Sequence, residues 1–289
     1  MNMPVPEDRS VEVQSVRQSL EQKIAEGRLD LPVLPEVANQ VLAVARDERA
    51  DAARLARLIH QDQALAGHLV HIANSPAYLP RSPIVSLQQA VARLGLQTIA
   101  RIALAVVVKG QLFDVRGHEQ TIDYLWRHAA ASAAWAQEIA RMLRHNVETA
   151  FLCGLLHEIG KPACLHAITE LEAEQGIRLE PGVVLGLMED YQRQVGILLA
   201  EAWDLPGPVV ESIRHYEDYA PAASFLRDAM IVHCAHRFAS YVLAPEADRD
   251  EAGLRGMETL VELNLYPDDV TALLEQCDKV VAVMEAMTV

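Results

Sequence analysis

Aromatic side chains are scarce in this chain of 289 residues: they make up 5% of it, whereas 51% of the residues are hydrophobic. Strands draw on aromatic and β-branched residues, but alanine, leucine and valine dominate here and favour packing of helix on helix. No segment shows the strict alternation of a half-buried strand. We therefore predict an all-α fold, formed by one large helical domain or two moderate ones.

Cysteines are also few, and the four of them include no C-x-x-C pair. Cys153 and Cys234 stand inside apolar helical stretches, so we predict that they are small core residues. Without a disulfide framework, a reducing compartment is expected. The polar, proline-containing N-terminus has no resemblance to a signal peptide, so we expect a cytoplasmic protein.

A long apolar run and an excess of positive charge are both missing. The longest apolar run, near residues 103–108, lies between Arg101 and Lys109 and is too short to span a bilayer. The net charge is −15, which repels nucleic-acid phosphates and anionic membranes. We expect neither nucleic acid nor membrane as a partner, and we interpret the locally basic strip 93–116 as a solvated helix face.

Periodicity and capping residues divide the chain into successive helices. The first thirty residues form a polar amphipathic helix that Gly27 ends, and Asp51 and Ser86 cap two later helices. Further helices are predicted from their apolar spacing. They cover residues 36–45, 52–60, 122–143, 147–156, 164–175, 184–203, 208–217, 222–243, 254–263 and 268–287.

The segment 151–161 carries the strongest chemical signal. An apolar helix ends in the adjacent side chains of His157 and Glu158, and Gly160 is predicted to stop that helix. A zinc-protease helix would need a second histidine four residues after His157, where Lys161 stands. The segment therefore does not match a zinc-protease helix.

Four blocks in the first half of the chain have a recognisable order and spacing. They are Leu31-Pro-Val-Leu-Pro35-Glu36, Leu58-Ile59-His60-Gln61-Asp62-Gln63-Ala64-Leu65, Ile72-Ala-Asn74-Ser75-Pro76-Ala-Tyr78 and Ile84-Val-Ser86-Leu-Gln-Gln-Ala90-Val-Ala-Arg-Leu94-Gly95-Leu96. These blocks, followed by the His157-Glu158 pair, resemble the HDOD module, the HD-related output domain of bacterial signalling proteins. One departure is Gln63, where the family commonly has proline, and it matters little for the fold.

This resemblance implies a multi-helical, two-lobed bundle of the HD superfamily. Residues 1–19 are expected to be an N-terminal helix or lead-in, and residues 20–220 the HDOD domain. Its helical first lobe would cover about 20–118 and its HD-like lobe about 119–220. The remaining residues, 221–289, are expected to form C-terminal helices that pack on the HD-like lobe.

The resemblance also implies where a metal would bind. In the HD superfamily a His-Asp pair, a further histidine and a final aspartate hold the ion. His128 and His157 stand at the two histidine positions of this pattern. Glu158 replaces the paired aspartate, and His236 replaces the final one.

Three other residues are candidates for contacts with a substrate. Arg127 and Lys161 adjoin the implied ligands and are candidate phosphate-binding groups. His215 stands where related cyclic-dinucleotide phosphodiesterases place further histidines. The Gly-Tyr-Pro segment that marks those enzymes is absent.

Both acids of the pattern are thus altered. Glutamate moves its carboxylate by about 1.5 Å relative to aspartate, whereas a working metal site tolerates only about 0.2 Å in ligand distance. Replacing aspartate by histidine disfavours Mg²⁺ and shifts preference toward zinc-like or iron-like ions. A divalent metal therefore remains one alternative; we favour the other, a buried polar knot without metal, with His128 and His157 hydrogen-bonded to Glu158.

We accordingly predict a non-catalytic signal-transduction module that acts through protein–protein interaction. Its partner would be another protein or a second copy of the chain, and it would serve as the output part of a response regulator. The alternative function is a metal-dependent phosphohydrolase acting on a nucleotide or a cyclic dinucleotide, with an activated water at the metal.

Overall fold

The computed structural model describes residues 6–36, 38–40, 59, 62–78 and 82–288, and within these ranges the chain forms helices joined by turns. No β-strand occurs among those residues, so the all-α prediction is confirmed. Within the same ranges, no helix is both long enough and apolar enough to cross a membrane. The predicted helices over 36–45 and 52–60 lie largely outside the described residues.

From Leu87 onward the helices follow one another with connections of about one to ten residues. The first part contains α1 (Pro6–Ala25), α2 (Gln63–Ala73), α3 (Leu87–Leu94) and α4 (Leu96–Leu112). The central part contains α5 (Glu119–Met142), α6 (Val147–Leu156), α7 (Gly160–Gln175), α8 (Pro181–Ala202), α9 (Gly207–His215) and α10 (Leu226–Leu243). The chain continues with α11 (Glu251–Arg255), α12 (Glu258–Glu262), α13 (Pro267–Leu274) and α14 (Cys277–Thr288).

Most predicted helices lie within a few residues of their observed bounds, but two are divided. The predicted helix 254–263 is split between α11 and α12 because Gly256 ends α11. The predicted helix 268–287 is split between α13 and α14. Cys153 and Cys234 are buried, which confirms their predicted place in the core.

Helix α5 lies at the centre of the bundle and packs against α6, α10 and α14. Its middle is a run of small buried side chains from Ala129 to Ala136, interrupted by Trp135. Gly154 of α6 faces this run so closely that an added Cβ would lie 2.6 Å from the backbone oxygen of Ser132. Small side chains on both helices therefore let α5 and the end of α6 approach each other.

Gly160 was predicted to stop α6, but it is instead the first residue of α7. Pro162 falls in the first turn of α7, where its missing N–H would have no helical partner in any case. A Cβ at Gly160 would lie 1.7 Å from the backbone oxygen of Gln192 in α8 and 2.8 Å from the nitrogen of Gly196. The glycine is required for this contact between backbones, which fixes the turn that carries His157 and Glu158.

Both ends of the described chain pack onto the bundle. Helix α1 lies against α7 and α8, with Val16 and Leu20 fully buried. Helix α14 contacts α5, α4 and the 3-10 turn Pro76–Tyr78. The indole of Trp126 donates a hydrogen bond of 3.0 Å to the backbone oxygen of Met287, which anchors the last turn of α14. Helix α14 therefore joins the first helices to the central bundle.

Candidate metal centre

Packing of α5, α6 and α10 brings four side chains together that are far apart in the sequence. Helix α5 supplies His128, α10 supplies His236, and the turn after α6 supplies His157 and Glu158. One nitrogen or oxygen atom from each of the four lies within 4.8 Å of the others. These are the four residues that the resemblance to the HD superfamily implied as ligands.

The distances in this cluster suit a small metal ion. Nδ1 of His128 lies 3.0 Å from Oε2 of Glu158, and Nε2 of His157 lies 3.2 Å from Nδ1 of His236. The remaining distances to Glu158 are 3.8 Å from His157 and 3.8 Å from His236. Tetrahedral zinc with bonds of about 2.0–2.1 Å holds neighbouring donor atoms about 3.3 Å apart, which lies within this range.

The outer hydrogen bonds of two histidines fix which ring nitrogens face the cluster. Nδ1 of His157 donates to the backbone oxygen of Gly154 at 2.8 Å, so its Nε2 carries a free lone pair when the ring is neutral. Ser240 donates its own hydroxyl hydrogen to the backbone oxygen of His236 at 3.0 Å. Its Oγ therefore accepts from Nε2 of His128 at 3.2 Å, and Nδ1 of His128 is left with the lone pair.

Nδ1 of His128 is the atom that separates the two alternatives. It is buried and makes no hydrogen bond of acceptable geometry, although Oε2 of Glu158 is only 3.0 Å away. Two facing lone pairs repel each other unless a cation lies between them, and an unpaired buried polar atom costs about 1–3 kcal/mol. The donor atoms therefore fit a bound ion.

The polar knot predicted from the sequence differs from the observed arrangement. That prediction had both His128 and His157 hydrogen-bonded to Glu158. Nε2 of His157 instead lies 3.8 Å from Glu158, which exceeds a hydrogen bond, and faces His236. The difference arises because the hydrogen bond from Nδ1 to Gly154 sets the direction of the His157 ring.

The far oxygen of Glu158 is occupied by other groups. Oε1 lies 2.9 Å from Nζ of Lys161 and accepts a hydrogen bond of 3.2 Å from the hydroxyl of Tyr216. Gln192 in turn donates to that hydroxyl at 3.2 Å. Burial by itself would raise the pKa of Glu158, but its neighbours His128, His157 and Lys161 hold it well below its usual range, so the group is a carboxylate.

Burial lowers the pKa of His157 to about 4 and that of His236 to about 2. Both rings are therefore neutral at physiological pH, which is the form that binds a metal.

Access of solvent to the cluster is narrow. His157 is 0% exposed and His128 2%, whereas the side chain of His236 is 24% exposed.

The other candidate residues do not join the cluster as ligands. Arg127 precedes His128 on α5, and adjacent residues of a helix do not share a face. Lys161 is paired with Glu158 and, at 3.0 Å, with Glu189. His215 lies outside the cluster, with its Nε2 3.9 Å from Glu211.

Tyr216 enters the site instead of its neighbour His215, and sequence reasoning did not single it out. Its ring lies 4.8 Å from that of His157 and 5.2 Å from that of His236, measured between ring centroids. The prediction chose His215 because histidine is a common ligand, but the turn at the end of α9 directs the side chain of Tyr216 inward. Ser240 and Gln192, which orient His128 and Tyr216, carried no sequence signal.

An all-α bundle in which a histidine–acid pair at the end of one helix meets histidines from two others defines a domain of the HD type. Within that class the chain belongs to the HDOD domain family, whose profile matches residues 31–219. The chain is also 28% identical over 239 residues to an uncharacterized protein of Treponema pallidum (strain Nichols). That match covers 77% of this chain, which spans 45% of the relative's length.

Three solved structures are similar along most of the chain. One, provisionally described as a metal-dependent phosphohydrolase from Shewanella amazonensis SB2B, has a TM-score of 0.69 at 24% identity and covers 95% of this chain and 99% of its own. An HDOD domain protein from Geobacter sulfurreducens has a TM-score of 0.70 at 21% identity, covering 94% and 98%. A protein provisionally described as a signal transduction protein from Marinobacter aquaeolei VT8 has a TM-score of 0.67 at 21% identity, covering 100% and 68%. These likenesses establish the shared fold.

Proposed function

We propose that this HDOD chain is a non-catalytic bacterial signalling module, the output part of a response regulator, whose histidine cluster stabilises the bundle. The observation that carries the proposal is the closed donor set. His128, His157 and His236 offer three nitrogens and Glu158 one oxygen, which fill the four positions of a structural zinc site. A hydrolytic metal centre keeps a position open for water or substrate.

An ion of the zinc type held by these residues would cross-link α5, α10 and the turn after α6. A bound ion of this kind supplies Lewis acidity, but Lys161, the described cation paired with the cluster's glutamate, is not free to bind a phosphate. Lys161 is committed to two carboxylates, those of Glu158 and Glu189. The side chains therefore serve to hold the helices together rather than to orient a substrate.

We expect no metal-dependent turnover of nucleotides, cyclic dinucleotides or p-nitrophenyl phosphate. The protein should be assayed after loading with Mg²⁺, Mn²⁺, Fe²⁺ or Zn²⁺, because each would support a different hydrolytic centre. Product release should equal that of the buffer blank. Hydrolysis that is lost in both His128→Ala and His157→Ala would instead establish the phosphohydrolase alternative.

The proposed protein partner would bind a groove between α10 and α12. The groove has a volume of about 340 Å³. Its lining is half apolar and half polar, and consists of Leu226, Met230 and Leu263 together with Arg227, Glu262 and Asn264. The side chain of Leu226 is 42% exposed, which leaves a large apolar group for a partner to cover.

Chemical crosslinking in living cells should join this chain to its partner and give a covalent adduct. Leu226→Asp is expected to abolish that adduct, because a charge in the groove would be desolvated on binding. Leu185→Asp on α8 is the matched control, since Leu185 is also 42% exposed, and it should keep the adduct. An adduct of twice the chain mass would identify a second copy as the partner. Equal adducts in both variants would exclude this groove.

A further inference from the structure

A second cavity lies where the first helices meet the central bundle, and nothing in the proposed function uses it. This cleft has a volume of about 250 Å³. Its walls come from the 3-10 turn Pro76–Tyr78, α4, α5, α6 and α14. A molecule bound in it would contact both the first helices and the bundle.

The cleft carries positive charge in an acidic protein. Arg101, Arg141 and Lys279 line it, together with a single carboxylate, Glu138. Glu138 accepts from Arg141 and lies 2.8 Å from Nζ of Lys279, so it is shared by two cations. Outside the lining, Glu148 pairs with Arg101. Three cations against two acids leave an excess positive charge, in a chain whose net charge is −15.

Arg101 is held in a fixed position at the floor of the cleft. Its side chain is only 10% exposed, and its Nη2 donates to the hydroxyl of Thr98 at 3.1 Å. The guanidinium lies over the ring of Phe151, 5.5 Å from its centroid. A desolvated and oriented guanidinium interacts more strongly with an anion than a mobile surface arginine does.

Apart from Thr98 and Gln137, the rest of the lining is mainly apolar. Ile102, Val280 and Met287 are buried and contribute to the walls, and Tyr78 lies half-buried at one side. Binding pockets combine such an apolar wall with a few polar groups that orient the ligand. The volume is below the roughly 300–1,000 Å³ of sites for drug-sized ligands, so a small molecule fits better than a dinucleotide.

We propose that the cleft binds a small organic anion, with a phosphate or carboxylate group directed at Arg101, Arg141 and Lys279 and an apolar body against Ile102 and Val280. The ligand would be of mononucleotide size or smaller. Because its walls belong to both the first helices and the bundle, the bound anion stabilises one arrangement of these parts. The cleft thereby gives the signalling module a chemical input, and binding itself does not depend on the histidine cluster.

Calorimetric titration of the full chain with phenyl phosphate, benzoate, AMP and inorganic phosphate tests this proposal. We expect at least one organic anion to bind at millimolar concentration or below, and more tightly than inorganic phosphate, because only the organic anions contact the apolar wall. Comparing the affinities of phenyl phosphate and benzoate shows whether the cleft prefers a phosphate or a carboxylate group. The affinity of AMP shows whether a ligand of mononucleotide size still fits. No binding by any of the three organic anions would overturn the proposal, as would equal binding of inorganic phosphate.

Variants at the rim locate the site without disturbing the floor. Arg141→Gln and Lys279→Gln each leave Glu138 with one cation, and both replaced side chains are 48% exposed, so folding should be retained. Each should weaken binding about tenfold, the usual loss for one charge-assisted hydrogen bond. Arg255→Gln is the control, because it breaks a similar intrahelical pair with Glu251 elsewhere. Undiminished binding in both rim variants would exclude the cleft.

Discussion

Replacing Gly160 by alanine is expected to lower the free energy of unfolding by more than about 3 kcal/mol. The added Cβ would lie 1.7 Å from the backbone oxygen of Gln192 and 2.8 Å from the backbone nitrogen of Gly196. Neither atom is the end of a flexible side chain, so α7 and α8 would have to separate. Urea denaturation followed by circular dichroism measures the loss.

Gly186→Ala in α8 is the matched control for this substitution. No heavy atom lies within 4 Å of the position of its Cβ, so alanine should stabilise the helix by about 0.5–1 kcal/mol. Gly160→Ala should lower the free energy of unfolding and Gly186→Ala should raise it. This difference in sign distinguishes the effect of a close backbone contact from that of helix propensity. If the free energy of unfolding of Gly160→Ala lay within about 0.5 kcal/mol of the wild-type value, the usual range of a surface substitution, the contact between α7 and α8 would be looser than described.

Removing metal with EDTA is expected to lower the melting temperature of the wild-type protein by roughly 5–10 °C. An ion at 100 times its dissociation constant adds about 2.7 kcal/mol to the stability of the native state. Each kcal/mol shifts the melting temperature of a chain of this size by about 2–4 °C. Scanning fluorimetry with and without EDTA measures the shift, and elemental analysis of the untreated protein identifies the ion.

Two variants show whether the shift comes from the histidine cluster. His128→Ala removes the unpaired Nδ1, so its melting temperature should be independent of EDTA. His215→Ala should respond as the wild type does, because His215 lies beside Glu211 rather than in the cluster. A wild-type protein that contains no metal and ignores EDTA would restore the polar knot as the explanation of these residues.

The elements that depend on local signals were predictable from the sequence, whereas the contacts between them were not. Val147–Leu156 coincides with its predicted bounds, because Asn146 caps it and apolar residues repeat at helical spacing. The effect of Gly160 was misjudged, since a glycine that ends a helix and one that admits a neighbouring backbone are alike in sequence. Only the position of Gln192, more than thirty residues later, distinguishes them.

The candidate site shows the same limit. The resemblance to the HD superfamily singled out His128 and His236, although they are more than a hundred residues apart and no periodicity links them. It could not supply the direction of the rings, which depends on Gly154 and Ser240. It also favoured His215 over Tyr216, because a shift of one residue on α9 changes which side chain points inward.

The attachment of both ends of the described chain has a consequence for how the protein is made on the ribosome. The turn Pro76–Tyr78 and α4 emerge well before α14, the helix that packs on them. Helix α1 likewise waits for α7 and α8 before Val16 and Leu20 can be buried. Contacts of such long sequence separation slow folding, and the exposed early helices would be open to chaperones until their packing partners have also emerged.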